Sequence, residues 1–430
     1  MTFSTSSNVQ PKAQTRALPA LGRPLWVAML ALFGAMTSFF LLAAAVPLYA
    51  TSLGGNSSGA GLSTGILLFA AVAAEIVTPA LIRHWGRRAV IAAGFLLLGT
   101  PTLFLGGVSG TAGLTLLCAL RGVGFGVLAV AGGALIVSLA PPERRGFVLG
   151  LYGIVATIPA VFALPLGVWL TAHVGFPALF VAGGLVAIVG VASAPYVPKR
   201  EPHAAEPIGL LAGVRDARLL WPAIVFAATA MAAGVITTFL PIMTGHLAST
   251  PTAWALLLQA LTGTITRGLA GKVVDRTNGY KLLGGSVVLL SLGVLLLAAD
   301  VRSLTVIPAM VLFGAGFGVA QNASLMLMLN QVDERGYDTV NALWNLAYDL
   351  GWGLGASGFG LLAAWLSYPL AFALCSLTIL LVLLASVLRR YTGKVAMPAR
   401  LSRMLRQERT SSHLSLGAGT KHNPVCATLD

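Results

Sequence analysis

Four ionisable side chains lie deep inside long apolar segments of the sequence: Glu75, Arg121, Arg267 and Asp349. An ionised group in hydrocarbon costs about 2.5–3.5 kcal/mol even on a lenient scale, so such residues are rare and are usually functional or paired. A carboxylate that loses its hydration favours the protonated form, and a second carboxylate nearby strengthens that preference. Three interpretations of Glu75 and Asp349 follow: proton carriers, contacts for a cationic substrate, or members of static ion pairs.

The two arginines keep their charge at any physiological pH. Arg121 would hold a neighbouring acid ionised until a proton or a substrate intervenes, and Arg267 either pairs with an acid or lines a cavity.

The segments around Asp349 are also rich in amide and aromatic side chains. Four of them, Asn341, Asn345, Tyr348 and Trp352, follow the spacing i, i+4, i+7, i+11 and therefore share one face of a helix. In lipid such a polar face should point to a cavity. Ordinary helix packing is the competing explanation. With Arg267, the predicted substrate-binding residues are Gln321, Asn322, Asn341, Trp344, Asn345, Tyr348 and Trp352.

Twelve apolar stretches carry these residues, and each is near or above the roughly 20 residues that a helix needs to cross a bilayer. Strands of a membrane barrel would be about ten residues long and would alternate in polarity, which these stretches do not. The chain is 57% hydrophobic and 9% charged, against about 25% charged in soluble domains. The sequence predicts an all-α membrane protein with twelve transmembrane helices at about 25–50, 61–82, 87–108, 112–139, 146–171, 176–196, 219–245, 252–273, 281–299, 304–330, 339–365 and 369–392.

The net charge of +14 is distributed almost entirely to one side of these helices. All but three of the 27 Lys and Arg residues lie in the tails and in alternate loops, the exceptions being Arg121, Arg267 and Arg302. Basic loops stay in the cytoplasm, so we expect a multi-pass protein of the plasma membrane with both termini cytoplasmic. The charge is therefore a topology signal, and no nucleic-acid partner is expected.

The longest loop between the stretches is charged and divides them into six and six, as expected for a linker between two bundles. The predicted organisation is a cytoplasmic tail over 1–24, a six-helix bundle over 25–197, a cytoplasmic linker over 198–218, a second bundle over 219–392 and a basic cytoplasmic tail over 393–430.

The two halves repeat in sequence. The glycine-rich run 122–127 matches 314–319 at an offset of 192, and similar offsets relate 143–146 to 334–336 and 86–88 to 279–281. Because six is an even number, both copies start on the same side of the membrane. Such parallel repeats are related by an axis along the membrane normal and enclose a site between the halves in transporters.

With this layout the chain resembles the major facilitator superfamily of secondary transporters. The loop signature of that family ends in Gly86, Arg87 and Arg88, with Arg83 where the family has an acid, and its second copy keeps the acid as Asp275, followed by Arg276. The fourth stretch resembles the signature of drug and sugar exporters, an arginine (Arg121) followed by a glycine-rich run. The antiporter signature of the fifth stretch is only partly kept, because Leu164 stands where Gly should precede Pro165.

The resemblance implies two bundles related by a pseudo-two-fold axis, and a latch between that loop and a helix start. Asp338 begins the eleventh stretch, where an anion suits the helix dipole, so we predict a charge-swapped pair with Arg83. Asp275 would pair in the usual polarity with Arg144 or Arg145. The alternative is that all of these are solvated loop charges.

No phosphate-binding loop of a nucleotide-driven motor is present, and the six histidines lack metal-ligand spacing. We therefore expect no cofactor, no metal and no enzymatic activity. The sequence favours a monomeric, proton-coupled antiporter of the multidrug type that exports a small amphipathic compound by rocker-switch alternating access, with Asp349, Glu75 and Arg121 in proton coupling. The alternatives are a sugar or metabolite transporter working by symport or facilitated diffusion, a membrane sensor or scaffold, and a membrane enzyme.

Overall fold

Twelve long helices make up the described part of the chain. The computed structural model describes residues 21–198, 210–245, 249–274, 278–299, 305–333 and 336–391. The predicted tails (apart from 21–24), most of the predicted linker, Asp275 and Arg276 lie outside these residues. The helices, named in chain order, are α1 (Arg23–Ser52), α2 (Ser57–Trp85), α3 (Arg87–Phe104), α4 (Thr111–Leu139), α5 (Arg145–His173), α6 (Gly175–Val189), α7 (Ala217–Thr244), α8 (Ser249–Val274), α9 (Gly279–Ala299), α10 (Val306–Leu329), α11 (Tyr337–Trp365) and α12 (Tyr368–Tyr391).

The predicted fold class is confirmed, and no strand occurs in the described residues. Eleven helices begin and end within a few residues of their predicted stretches, whereas α6 ends at Val189 and a 3-10 helix over Gly190–Tyr196 completes its stretch. Ten of the helices are long and apolar enough to cross a membrane. The other two, α8 and α11, are as long but contain no stretch that is apolar enough by the same measure. They carry Arg267 and Asp349, two of the four ionised groups that the sequence places inside apolar stretches.

Exposed tryptophans mark the two ends of the helical bundle. We call the end at which α6 leads into α7 the linker end, and the end at which α1 leads into α2 the distal end. Trp26 and Trp85 are exposed near the linker end, and Trp254 and Trp365 are exposed near the distal end. Tryptophan rings gather at the two membrane–water interfaces, so the pattern fits helices that span a bilayer.

In the first half, α4 packs against α2 through glycines. A methyl group added at Gly122 would overlap the carbonyl oxygen of Leu67, and one added at Gly126 would overlap that of Ala71. Only glycine lets the two backbones approach so closely. Helices in lipid often associate through such small residues. The hydrophobic effect does not drive them together there, so close van der Waals packing has to.

The same contact recurs between α10 and α8 in the second half. Added methyl groups at Gly314 and Gly318 would overlap the carbonyl oxygens of Gln259 and Gly263. All four positions lie 192 residues after their counterparts in α4 and α2. The repeat in sequence is therefore a repeat of helix packing, which is what a duplicated bundle requires.

Contacts between helices repeat across the two halves in the same way. α3 packs on α4 and α6 as α9 packs on α10 and α12, and α1 packs on α5 as α7 packs on α11. The halves meet mainly along two pairs of helices, α2 with α11 and α5 with α8. Exchange of the halves converts one pair into the other, as expected of a two-fold relationship.

Candidate functional site

The boundary between α2 and α11 brings Glu75 and Asp349 together. Their carboxyl groups lie close enough to interact, where α2 packs on α11. Asp349 is buried and Glu75 is half-buried. Within the described part of the chain, neither acid forms an ion pair with a lysine or arginine. The arrangement suits two carboxyl groups that hold a proton in common.

Both acids lie on the inner faces of their helices. On α11 the exposed residues Leu354 and Leu361 mark the face turned to lipid. At about 100° per residue, Asp349 is offset from Leu354 by about 140°. On α2, Glu75 is about 140° from the exposed Leu62 by the same rule. Neither acid is therefore turned toward lipid.

From the acids toward the distal end, α2 and α11 are in backbone contact. A methyl group at Gly61 would overlap the carbonyl oxygen of Ala356, and Gly65 lies directly against Ser357. Each half also contributes hydroxyl groups: those of Ser57 and Tyr368 are 2.7 Å apart. The hydroxyls of Thr64 in α2 and Thr238 in α7 are 3.2 Å apart. The distal end is therefore closed along this boundary.

Toward the linker end the predicted latch residues are apart. Arg83 and Asp338 are both exposed and form no ion pair with each other. Arg144 is half-buried, the side chain of Arg145 is not among those described, and the predicted partner Asp275 lies outside the described residues, as does Arg276. The structure shows one arrangement of the bundles, and the latch stays a prediction for another.

The rest of the loop motif has a structural role. Gly86 adopts a φ of +79°, a conformation that side chains other than glycine rarely take, and its N–H donates to the carbonyl oxygen of Ile82 at the end of α2. Arg87 then starts α3 and donates from Nη1 to Oγ of Ser138 near the end of α4, at 3.0 Å. Arg88 is half-buried beside it. The motif thus joins three helices of the first half.

Arg121 is buried in α4 with 1% of its surface exposed. Its Nε and Nη2 atoms are buried and have no hydrogen-bond partner among the described residues. The guanidinium lines a narrow cavity with Phe39, Thr64 and Trp352, between the two halves. Arg121 contacts neither Glu75 nor Asp349, so the structure does not bring the three predicted proton-coupling residues into one cluster.

Arg267 lies in α8 and faces α10 and α11. Its Nη1 donates to Oε1 of Gln321 at 2.9 Å, and its guanidinium carbon lies 5.8 Å from the centre of the Trp344 ring. The side chain is half-buried. Asn322 lies against α8 at Gly271, one helical turn from Arg267, and its buried Oδ1 has no hydrogen-bond partner in the described ranges. The structure therefore brings four of the predicted substrate-binding residues together.

An aromatic row runs along α11 beside these groups. Trp344, Tyr348 and Trp352 follow one another at one-turn spacing, with ring centres 6.1 Å and then 5.3 Å apart. The ring of Trp352 meets that of Phe39 from the first half at 6.4 Å, and Phe39 stacks on Phe125 at 4.2 Å. The row thus crosses from one half of the protein to the other.

Asn341 and Asn345 are exposed rather than enclosed with the other predicted residues. Nδ2 of Asn345 donates to the carbonyl oxygen of Asn341 at 3.0 Å, so the two form a pair along the helix. Asn345 lies about 180° from the lipid-facing Leu354. Its exposure therefore indicates open space between the halves on the linker side of Asp349.

Sequence reasoning missed several residues of the site. Phe226 of α7 stacks on Trp344 with ring centres 4.5 Å apart, and Oγ of Ser324 accepts a hydrogen bond from Nε1 of Trp344 at 3.1 Å. Thr64 was missed as well. A single phenylalanine, serine or threonine in an apolar stretch carries no positional signal, because each is also common in plain helix packing. Within the described residues, no three His, Cys, Asp or Glu side chains gather in a way that could hold a metal ion.

Comparison with known proteins agrees with this architecture. A family model described as Major Facilitator Superfamily matches residues 28–356. The chain belongs to the major facilitator superfamily. The superfamily is one of transporters, and the protein is a multi-pass membrane transporter of this class rather than an enzyme.

The individual relatives are distant. An uncharacterized MFS-type transporter of Methanocaldococcus jannaschii is 20% identical over 357 residues, which cover 80% of this chain and 92% of that protein. A mutant form of the nucleoside transporter NupG superimposes with a TM-score of 0.70 at 11% identity, covering 85% of this chain and 99% of the other. A bacterial homolog of the human lysosomal transporter Spinster gives a TM-score of 0.69 at 14% identity, covering 87% and 98%. At these identities the likeness concerns the fold.

Proposed function

We propose that this superfamily member is a proton-coupled antiporter that exports a small amphipathic compound by alternating access. The observation that carries the proposal is the contact of Glu75 with Asp349 at the boundary of the two halves. A proton carrier in this family of folds must sense which way the halves are tilted, and an acid contributed by each half does so directly.

The coupling follows from the charge of the pair. Two carboxylates side by side in an apolar surrounding repel each other and lack hydration, so one proton between them lowers the free energy of the closed contact. When the halves tilt and separate α2 from α11, each acid meets water and the shared proton is released or replaced. Closure of the boundary is thereby linked to proton uptake.

Alternating access uses the contacts at the distal end. In the arrangement described above, Gly61, Gly65, Thr64 and Tyr368 close that end, whereas Asn345 faces open space on the linker side. We take the linker end as cytoplasmic, because the basic loops and tails lie there. In the opposite arrangement the distal contacts would part and Arg83 would approach Asp338.

The substrate would lie between the halves beside the aromatic row. Trp344, Tyr348 and Trp352 offer flat apolar surfaces, and Gln321, Asn322 and Arg267 offer polar contacts next to them. A cavity with apolar walls and a few polar groups is the usual design of a small-molecule site. It suits an amphipathic compound better than a fully polar one, which favours drug or metabolite export over sugar transport.

The experiment is transport into inverted vesicles that contain the protein. In such vesicles the cytoplasmic side faces the medium, so an exporter fills the lumen. We expect a labelled substrate from a panel of amphipathic drugs, metabolites and sugars to accumulate when the lumen is acidic, and to stop accumulating when an ionophore removes the pH gradient. Vesicles without the protein are the control. Accumulation that ignores the gradient would refute proton coupling, and accumulation of sugars alone would favour the alternative transporter.

A further inference from the structure

Among the described residues, the charges near the middle of the bundle do not balance. Of the four ionisable groups, the two acids, Glu75 and Asp349, lie against each other. No carboxylate of the described residues lies within ion-pair distance of Arg121 or Arg267. If the acids share one proton, they carry one negative charge, and the arginines carry two positive charges. An uncompensated charge in hydrocarbon is costly, so a mobile anion is a natural counterpart.

Arg267 is the arginine that such an anion can reach. Within the part of the chain that the structure describes, its only hydrogen-bond partner is the neutral Oε1 of Gln321, which satisfies one N–H and leaves the charge uncompensated. The side chain is half-buried, unlike that of Arg121. A guanidinium presents paired N–H groups that match the two oxygens of a carboxylate. Asn322 of α10 lies against α8 at Gly271, one helical turn from Arg267, and adds an amide group to this region.

A rigid aromatic wall stands beside this charge. The ring of Trp344 faces the guanidinium of Arg267 and stacks on Phe226 on another side, at an interplanar angle of 12°. Its Nε1 is fixed by Ser324. The Tyr348 ring continues the wall, nearly parallel to Trp344 at 13°. Trp344 is 9% exposed and Tyr348 is half-buried in this arrangement. Once the halves part, rings held in this way offer a flat apolar body a surface on which to stack without ordering further side chains.

We propose that the transported compound is an organic anion, in which a carboxylate binds Arg267 and Asn322 and a flat apolar body packs on Trp344 and Tyr348. The inference rests on the proposed function, because it names the class of its substrate. The exposed Asn341 and Asn345 lie on the linker side of this site and mark the route by which the compound enters. The competing explanation is that Arg267, Gln321 and Trp344 only fasten α8 to α10 and α11.

The experiment measures binding to the purified full-length protein in detergent, by ligand-induced thermal stabilisation and by quenching of tryptophan fluorescence. The probes are nine compounds: phenyl, indolyl and naphthyl bodies, each with an acetate, an acetamide or an ethylamine group. We expect the acetates of at least one body to bind, and the matched acetamides and ethylamines to bind at least about tenfold more weakly. The reason is that a hydrogen bond to a charged group changes the dissociation constant by about tenfold or more. Equal binding of the three groups, tighter binding of the amines, or no binding of any acetate would overturn the proposal.

Variants locate the site. Arg267→Gln should weaken acetate binding at least about tenfold and bring it to the level of the acetamide. Arg267→Lys should retain part of the affinity, because it keeps the positive charge but loses the paired N–H groups of the guanidinium. Arg23→Gln is the matched control: Arg23 also lies over an aromatic ring, that of Tyr196 at 5.6 Å, but at the linker end of α1. Acetate binding that survives Arg267→Gln in a protein that still elutes as a single species would show that Arg267 only fastens the helices.

This test fails independently of the proposed function. It uses no pH gradient, so selective acetate binding with gradient-independent transport would retain the anion site and refute proton coupling. Gradient-driven transport of a cation would support proton coupling and refute the anion site.

Discussion

The carboxyl groups of Glu75 and Asp349 lie beside each other, whereas Arg121, the most deeply buried charge of the described residues, contacts neither. The pairing of acid with acid has a consequence for how the two halves move. An acid paired with an arginine would be held ionised, and separation of the halves would then cost the attraction of opposite charges. In the proposed mechanism two acids are instead held together by a shared proton, so the stability of the closed boundary would depend on proton supply.

Replacement of either acid by its amide should uncouple transport from the pH gradient. Glu75→Gln or Asp349→Asn removes one titratable group, and the remaining amide–acid contact can stay closed without a shared proton. We expect gradient-driven accumulation in inverted vesicles to fall about tenfold or more, whereas exchange of labelled for unlabelled substrate without a gradient persists. Glu143→Gln, in the exposed α4–α5 loop, is the control. Loss of exchange together with accumulation would point to a substrate contact instead.

A methyl group at Gly61 should keep the distal end from closing. It would overlap the carbonyl oxygen of Ala356, a backbone atom that cannot turn aside. Gly358→Ala, on the adjacent turn of α11, meets nothing within 4 Å and is the matched control. We expect Gly61→Ala to shift the protein toward the arrangement open at the distal end. A cysteine at Ser63, which is buried in the closed arrangement, should then react faster with a membrane-impermeant maleimide from that side. Equal rates in Gly61→Ala and Gly358→Ala would contradict this account of closure.

Most of the fold could be predicted because its causes are local in sequence. Helix length, apolar composition and the 192-residue repeat of the glycine runs each follow from a property of the chain itself. The site was less accessible. Glu75 and Asp349 could be nominated from the cost of a charge in lipid, but their contact depends on how the halves pack. The rotation of each helix about its axis decides which side chains meet, and an aperiodic apolar stretch does not encode that rotation. The hydrogen bond from Arg267 to Gln321 and the stacking of Phe226 on Trp344 both depend on it.

The repeat of packing predicts that equivalent glycines contribute equally to stability. Gly122→Ala and Gly314→Ala each force a methyl group against a carbonyl oxygen of the neighbouring helix, at positions 192 residues apart. Overpacking of this kind costs about 1–3 kcal/mol. We expect both variants to lower the midpoint of thermal unfolding in detergent by a similar amount. Gly153→Ala in α5 meets nothing within 4 Å and should leave the midpoint unchanged or raise it slightly. A loss in one half alone would mean that the halves do not pack alike.

The predicted latch between Arg83 and Asp338 can be tested by charge reversal. Both side chains are exposed and apart in the arrangement described here, so their pairing would stabilise the opposite arrangement, in which the linker end closes. Arg83→Asp should place two acids across that closure and slow transport about two- to fivefold, the factor expected of one exposed ion pair. Adding Asp338→Arg restores opposite charges and should recover most of the rate, a coupling that two independent surface charges would not show. Arg83→Lys, which keeps the charge, is the control and should transport normally. If the double variant is no faster than the slower single variant, Arg83 and Asp338 are ordinary solvated loop charges and closure of the linker end depends on other contacts.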